Sequence, residues 1–355
     1  MKNKLIKVLL CTAIAATMLV GCNTKSSESS NNPKKESNVK AEQVAKNKIF
    51  VTPEWVQSVI DGNQPESEKY VILEASWGTY KDSPTYKKGH LPGALHVDTS
   101  SVESEPYWNL SEPKVIEKGM LDLGVTKDKT VILYSSDVSA VARVAYAYLW
   151  AGVENVKILD GGLTAWENAG YKTETTVEKP TTAKDFGTTI PAHPEYVMSI
   201  NDVKEKLEND SNFRLVSIRS KGEFLGETSG YNYIDRAGEP KGAVWGHGGS
   251  DSYNMNDYIH EAGTYITAEE MEKLWKDSGF NKDNELSFYC GTGWRATVPW
   301  LIAYDAGWDN KMTVFDGGWY EWQMDEKLPV QVGNPNSNDV VYTTVGKLST
   351  DKAEK

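Results

Sequence analysis

The sequence predicts an α/β protein built from two copies of one domain, each a parallel sheet with helices on both faces. Three observations lead there. Short apolar runs alternate with helical stretches through most of the 355 residues, the pattern of strands crossed over by helices. The pattern occurs twice, in the same order. About 300 residues remain once an N-terminal targeting segment and spacer are set aside, enough for two ordinary domains.

The segments follow in order. Residues 1–8 carry Lys2, Lys4 and Lys7, and Val8 to Val20 is apolar. A charged start and a short apolar core read as an export signal rather than a membrane span. The run ends in Leu19-Val20-Gly21-Cys22, which resembles a bacterial lipobox and implies lipid attachment at Cys22 after removal of the leader. Residues 23–48 are rich in Ser, Asn, Lys and Glu, too polar to bury a core, and read as a tether. The expected location is therefore the outer side of a bacterial cell membrane, held by the lipid alone.

A first domain is expected over residues 49–175, a linker over 176–195, a second domain over 196–332 and a polar, poorly ordered tail over 333–355. Thr52-Pro53 and Thr267 mark helix starts at Pro53–Ile60 and Ala268–Ser278, each with a capping hydroxyl and acidic residues in the first turn. Further helices are expected over Ala140–Trp150 and Ile200–Glu208. Pro180, Pro191 and Pro194 punctuate the linker.

The repeat is read from matched strands. Val131-Ile132-Leu133-Tyr134-Ser135 corresponds to Leu286-Ser287-Phe288-Tyr289-Cys290, and Tyr70–Glu74 to Phe213–Ser217. Asp160-Gly161-Gly162 and Asp316-Gly317-Gly318 follow in step. Lys88–Ala94 matches Ala237–Ala243 more loosely. Aligning Tyr134 with Tyr289 sets Ser135 opposite Cys290.

Composition narrows the function. The formal net charge is −12, with no basic patch for nucleic acid. No His or carboxylate cluster has metal-ligand spacing, so no metal and no cofactor is expected. Of the three cysteines, Cys11 lies in the leader and Cys22 in the lipobox. Cys290 then stands unpaired in an exported protein, where disulfides are common. It closes a strand and opens the loop Gly291, Thr292, Gly293, Trp294, Arg295 ahead of a helix. Backbone N–H groups at such a turn, the helix start and Arg295 all favour a nucleophilic thiolate.

These residues together resemble a tandem-domain rhodanese of the thiosulfate/3-mercaptopyruvate sulfurtransferase family. The paired Asp-Gly-Gly turns, Gly89-His90-Leu91-Pro92-Gly93-Ala94, Arg219-Ser220-Lys221-Gly222-Glu223-Phe224 and the Cys290 loop carry the resemblance. It implies an inactive first copy, consistent with Ser135, and a catalytic second one. It implies a persulfide on Cys290, formed from an anionic donor, with thiosulfate favoured and 3-mercaptopyruvate the alternative, and discharged to a thiophilic acceptor such as cyanide. Arg295 is expected to attract the donor, and Trp245, His247 and Trp319 are candidate pocket residues. Arg219 and Glu223 are expected to pair structurally. The partners are small molecules, with no obligate protein partner.

Two rival classes remain. A cysteine phosphatase needs one residue more between cysteine and arginine than Gly291–Trp294 supplies. A non-enzymatic persulfide carrier or surface binding module would keep the loop without turning over.

Overall fold

Ten strands, paired in parallel, build two sheets of the same topology. The computed structural model describes residues 41–308 and 311–354; the leader, Cys22 and the tether up to residue 40 lie outside them. In the first half the strands are β1 (Phe50–Val51), β2 (Tyr70–Ser76), β3 (Leu95–Asp98), β4 (Thr130–Tyr134) and β5 (Asn155–Leu159), ordered β1-β5-β4-β2-β3. In the second they are β6 (Val197–Met198), β7 (Phe213–Ser217), β8 (Val244–Trp245), β9 (Glu285–Tyr289) and β10 (Met312–Phe315), ordered β6-β10-β9-β7-β8. Every neighbouring pair in both sheets is parallel. The repeat in sequence is thus a repeat in space, strand for strand.

Side chains alternate between the faces of each sheet. Ile72, Ile132 and Tyr134 pack with Trp55, Val59 and Trp166 on one face of the first sheet. Leu73, Val131 and Leu133 pack on the other, against Val141 and Val144. That second face belongs to a core shared by both halves, joined by Phe288, Val298, Trp300 and Val314. The helix Val138–Ala151 lies at its centre, buried at every position from Ser139 onward. A helix apolar on all sides needs cover on all sides, and the helix Thr297–Asp305 supplies it: the rings of Tyr146 and Trp300 meet edge to face at 4.9 Å. The described residues accordingly form one compact unit.

Three segments are better fixed than their composition suggests. Residues 41–48, read as tether, are anchored by Lys157, whose Nζ donates to the carbonyls of Ala45, Lys46 and Lys48. The linker is strapped to the first half through buried Phe186, whose carbonyl accepts from Lys127 N at 3.0 Å. The tail is not loose either. Val341–Thr344 pairs antiparallel with Pro329–Val332, which pairs with Glu239–Pro240. Beyond it, Lys352 and Glu354 bond to the backbone of Ser229 and Tyr231. Backbone hydrogen bonds hold these polar segments, and they leave no trace in hydropathy.

Candidate active site

Cys290 follows the C-terminal end of β9, the central strand of the second sheet. In open α/β sheets that edge is where ligands bind. The residue is fully buried and is the free cysteine among the described residues. Its carbonyl accepts from Trp319 N at 2.8 Å, and that of Gly291 from Tyr320 N at 3.0 Å. A Cβ on Gly318 would lie 2.5 Å from the Cys290 carbonyl oxygen; one on Gly162 would lie 2.7 Å from that of Ser135. The last glycine of each Asp-Gly-Gly turn therefore fits the same close approach in both halves. The side chain at the turn differs. Ser135 Oγ is committed to structure, donating to Ala75 O at 2.6 Å and accepting from Asp137 N at 2.9 Å.

Two loop glycines are required. A Cβ on Gly291 would sit 2.2 Å from the Tyr231 ring. Gly293 has φ +90, where L side chains are strained. None of the amide N–H groups of residues 291–295 donates to a protein acceptor among the described residues, so the loop offers free donors of the kind that bind anions.

Below the loop lies a buried ion network. Arg295 grips Glu223 with both terminal nitrogens, at 2.9 and 2.8 Å, and donates to Tyr231 Oη at 3.0 Å. Arg219 reaches Glu223 at 3.2 Å and Glu239 at 2.7 Å, and Tyr289 Oη hydrogen-bonds Glu239. Burial alone would raise the Glu223 carboxyl, but Arg295 and Arg219 outweigh it and hold it down to about 2. Burial wins at Glu239, which is pushed up to about 8 despite Arg219. Arg219 and Arg295 thus share Glu223 between them, with Glu239 the weaker acid of the network.

The first half completes the site. Glu103, on the hairpin formed by Glu103–Ser104 and Asn109–Leu110, accepts from Trp294 Nε1 at 2.6 Å and Arg143 Nε at 3.3 Å. Arg143 also binds Asp316 Oδ1 at 2.6 Å. Burial, opposed mainly by Arg143, pushes the Glu103 carboxyl up to about 7. A cavity of about 360 Å³ opens here, lined by Thr292, Trp294 and Arg295 from the loop, Tyr231, Tyr233 and Tyr253 from the second half, and Trp77, Trp108 and Glu103 from the first.

The structure brings only some of the expected residues together. Arg219 and Glu223 pair, inside a larger network than two residues. Arg295 is taken up by Glu223, so it is not a free cation awaiting an anionic donor. Trp245 and His247 stack on each other at 3.8 Å but line a separate cavity of about 810 Å³ with Lys204 and Tyr342. They sit at edge strand β8 and beyond, and Trp245 Nε1 donates to the carbonyl of Arg219. Trp319 is buried beneath the Arg219 guanidinium, 5.5 Å from its ring, and lines neither cavity. Glu103, Trp77, Trp108, Tyr231, Tyr233 and Tyr253 went unread in the sequence. Glu103 is far from Trp294 along the chain, and no spacing announces the contact. No group of three His, Cys, Asp or Glu among the described residues could hold a metal ion.

Two fused copies of an α/β sheet, with a thiol at the turn of one and a serine at the equivalent turn of the other, define a tandem-domain protein with one cysteine loop among the described residues. The family model of the rhodanese-like domain matches residues 52–169 and 199–325, and the chain belongs to that family. It is 42% identical over 288 residues to the thiosulfate sulfurtransferase YnjE of Escherichia coli strain K12, covering 80% of this chain and 65% of that protein. The chain thus spans about two thirds of that relative's length. The crystal structure of YnjE superposes with a TM-score of 0.76 at 41% identity, covering 80% of this chain and 68% of that one. The anaerobic ergothioneine biosynthesis enzyme from Chlorobium limicola, solved with its natural substrate trimethyl histidine, gives 0.77 at 35% identity, covering 81% and 71%. An EanB variant solved as a cysteine persulfide with ergothioneine gives 0.77 at 34% identity, covering 81% and 71%.

Proposed function

We propose that the protein is a sulfurtransferase that carries sulfane sulfur on Cys290. The thiolate attacks the outer sulfur of a donor of the thiosulfate class. The donor's S–S bond breaks, its electron pair leaves with sulfite, and Cys290 holds a persulfide. A thiophilic acceptor such as cyanide then attacks the terminal sulfur, and the electron pair of that S–S bond returns to Cys290.

One observation carries the reading: a buried thiol at the C-terminal edge of the central strand, opening a loop whose backbone N–H groups are unspent among the described residues and which ends in a buried arginine. Fixed donors and charge of this kind stabilise an anionic sulfur without reorganisation during reaction. The names of the relatives support sulfur transfer, and the EanB persulfide shows that a similar protein holds sulfur this way. Thiosulfate is favoured as donor on the strength of YnjE, with 3-mercaptopyruvate the alternative. The four-residue spacing between Cys290 and Arg295 speaks against phosphate.

The test is thiocyanate formation from cyanide with thiosulfate and with 3-mercaptopyruvate, in wild type and Cys290→Ser. Thiocyanate from neither donor sinks the enzyme reading. Comparable product from Cys290→Ser sinks Cys290 as the carrier. Intact mass after donor treatment should rise by one sulfur atom in wild type alone. Export and lipid attachment at Cys22 belong to the same proposal; labelled fatty acid should be incorporated in cells by wild type and not by Cys22→Ala.

A further inference from the structure

The cavity over the Cys290 loop has walls of an unusual kind. Trp77 is 53% exposed, Tyr253 71% and Tyr233 46%, so large aromatic faces are held open to solvent around it. The rings of Trp77 and Trp108 meet at 5.1 Å, and those of Trp77 and Trp294 at 6.4 Å. Tyr231 lies 5.3 Å from Tyr233 and 6.5 Å from Tyr253. Trp108 adopts φ 60, a conformation a bulky residue rarely takes, and its carbonyl is held by Arg143 at 2.8 Å. Strain kept in place by a buried hydrogen bond is a mark of a functional position.

The charges agree. Arg295 is the lone lining guanidinium, and Glu223 neutralises it. Glu103 is 2% exposed, lines the cavity, and its Oε1 has no hydrogen-bond partner among the described residues. One guanidinium, Arg143, serves two carboxylates, Glu103 and Asp316, so the group is net negative beside the aromatic wall when Glu103 is ionised. Asp137 also lines the cavity, but its carboxylate caps a helix, accepting from Ser139 N and Ala140 N.

We propose that this cavity is an aromatic cage for the sulfur acceptor, and that the acceptor is a small organic cation of the quaternary-ammonium class with Glu103 as its counter-charge. The inference rests on the sulfur-transfer reading. Ring faces attract a desolvated cation through their quadrupoles, and Glu103 lies beside them. The first half, which lacks the thiol, thereby selects the substrate of the second. In the transfer step the acceptor's nucleophilic sulfur attacks the terminal persulfide sulfur. The S–S bond breaks, its electron pair returns to Cys290, and the acceptor leaves as a persulfide.

Three small thiols that differ in charge test the idea: cationic thiocholine, neutral 2-mercaptoethanol and anionic 3-mercaptopropionate, each compared at equal thiolate concentration with thiosulfate as donor. The expected KM for thiocholine is about tenfold below that of 2-mercaptoethanol, with 3-mercaptopropionate above both. Tetramethylammonium should compete with thiocholine. Glu103→Gln should bring the KM ratio of thiocholine to 2-mercaptoethanol back toward one. So should Trp77→Ala, whose side chain is half exposed. Wild-type cyanide turnover separates the two readings. Thiocyanate formed with no ordering of the thiols by charge overturns the cage alone. Absence of thiocyanate with every donor overturns the sulfur-transfer reading beneath it.

Discussion

Glu103 of the first half accepts a hydrogen bond from Trp294 Nε1 of the reactive loop at 2.6 Å. The half without a thiol thus holds a side chain inside the loop of the half that has one. Two further contacts tie the halves at their Asp-Gly-Gly turns: Asp160 accepts from Tyr265 N at 2.9 Å, and Asp316 from Leu110 N at 2.6 Å. Each turn aspartate is read by the opposite domain, which gives a purpose to keeping both copies.

Trp294→Phe removes the donor and keeps the ring. Glu103 then loses its shorter bond and keeps only the 3.3 Å contact to Arg143. Leaving a buried carboxyl short of a partner costs about 1–3 kcal/mol. Thermal unfolding should show a Tm lower by a few degrees, and sulfur transfer should fall because the loop loses its tether. A Tm within a degree of wild type would show that the bond contributes nothing.

Gly291 should be the least replaceable glycine of the loop. An added Cβ would lie 2.2 Å from the Tyr231 ring, and Tyr231 is itself fixed by Arg295. Overpacking of this kind costs about 1–3 kcal/mol and displaces the peptide that follows Cys290. Gly291→Ala should lose at least tenfold in kcat/KM. Gly222→Ala is the control, since its Cβ would meet nothing closer than 3.5 Å and should be tolerated. Equal activities in the two variants would remove the steric argument.

The repeat was legible because apolar strands and Gly-rich turns are local, and local pattern survives in sequence. Aligning Tyr134 with Tyr289 placed Ser135 and Cys290 at equivalent turns, and both sheets have the matching strand order. The loop glycines were legible for the same reason. The cage was not. Trp77 and Trp108 sit on irregular connections after β2 and β3, and Glu103 on a two-residue strand, too short for periodicity to mark an inward face. Density of tryptophan misled as well: Trp319 and Trp245 lie near Cys290 or Arg219 in the chain's logic but serve the core and a separate cavity.

Glu239 gives the network a pH signature. Its carboxyl is pushed up to about 8 in the fold, chiefly by burial, against an ordinary value near 4.3. The folded state therefore holds a proton that the unfolded state has released, and stability falls as pH rises between about 4 and 8. Glu223 acts in the opposite sense: held down to about 2, it contributes stability above its ordinary range that disappears as pH falls from about 4 to 2. Glu239→Gln removes the first effect. The Tm of Glu239→Gln relative to wild type should climb steadily from pH 5 to pH 8. A difference that stays flat across that window would show that Glu239 does not titrate there.

Glu103 should impose its own pH dependence on the cage. Its carboxyl stands near 7, and the groups facing it are Arg143 from the helix Val138–Ala151, Asp316 from the second Asp-Gly-Gly turn, the Trp294 N–H from the loop, and Tyr233 across the cavity. A cation binds the ionised carboxylate and not the neutral acid. Between pH 6 and pH 8 the ionised fraction of a group titrating at 7 rises about tenfold, so the Kd of tetramethylammonium should fall by a similar factor. Binding near pH 7 should also expel a proton, which calorimetry detects as a heat that changes with the buffer's ionisation enthalpy. Tyr233 titrates far above this window, so the transition belongs to the carboxyl. In Glu103→Gln the profile should be flat and the proton release absent. The same sloping profile in that variant would assign the titration to another group and remove Glu103 from the cage.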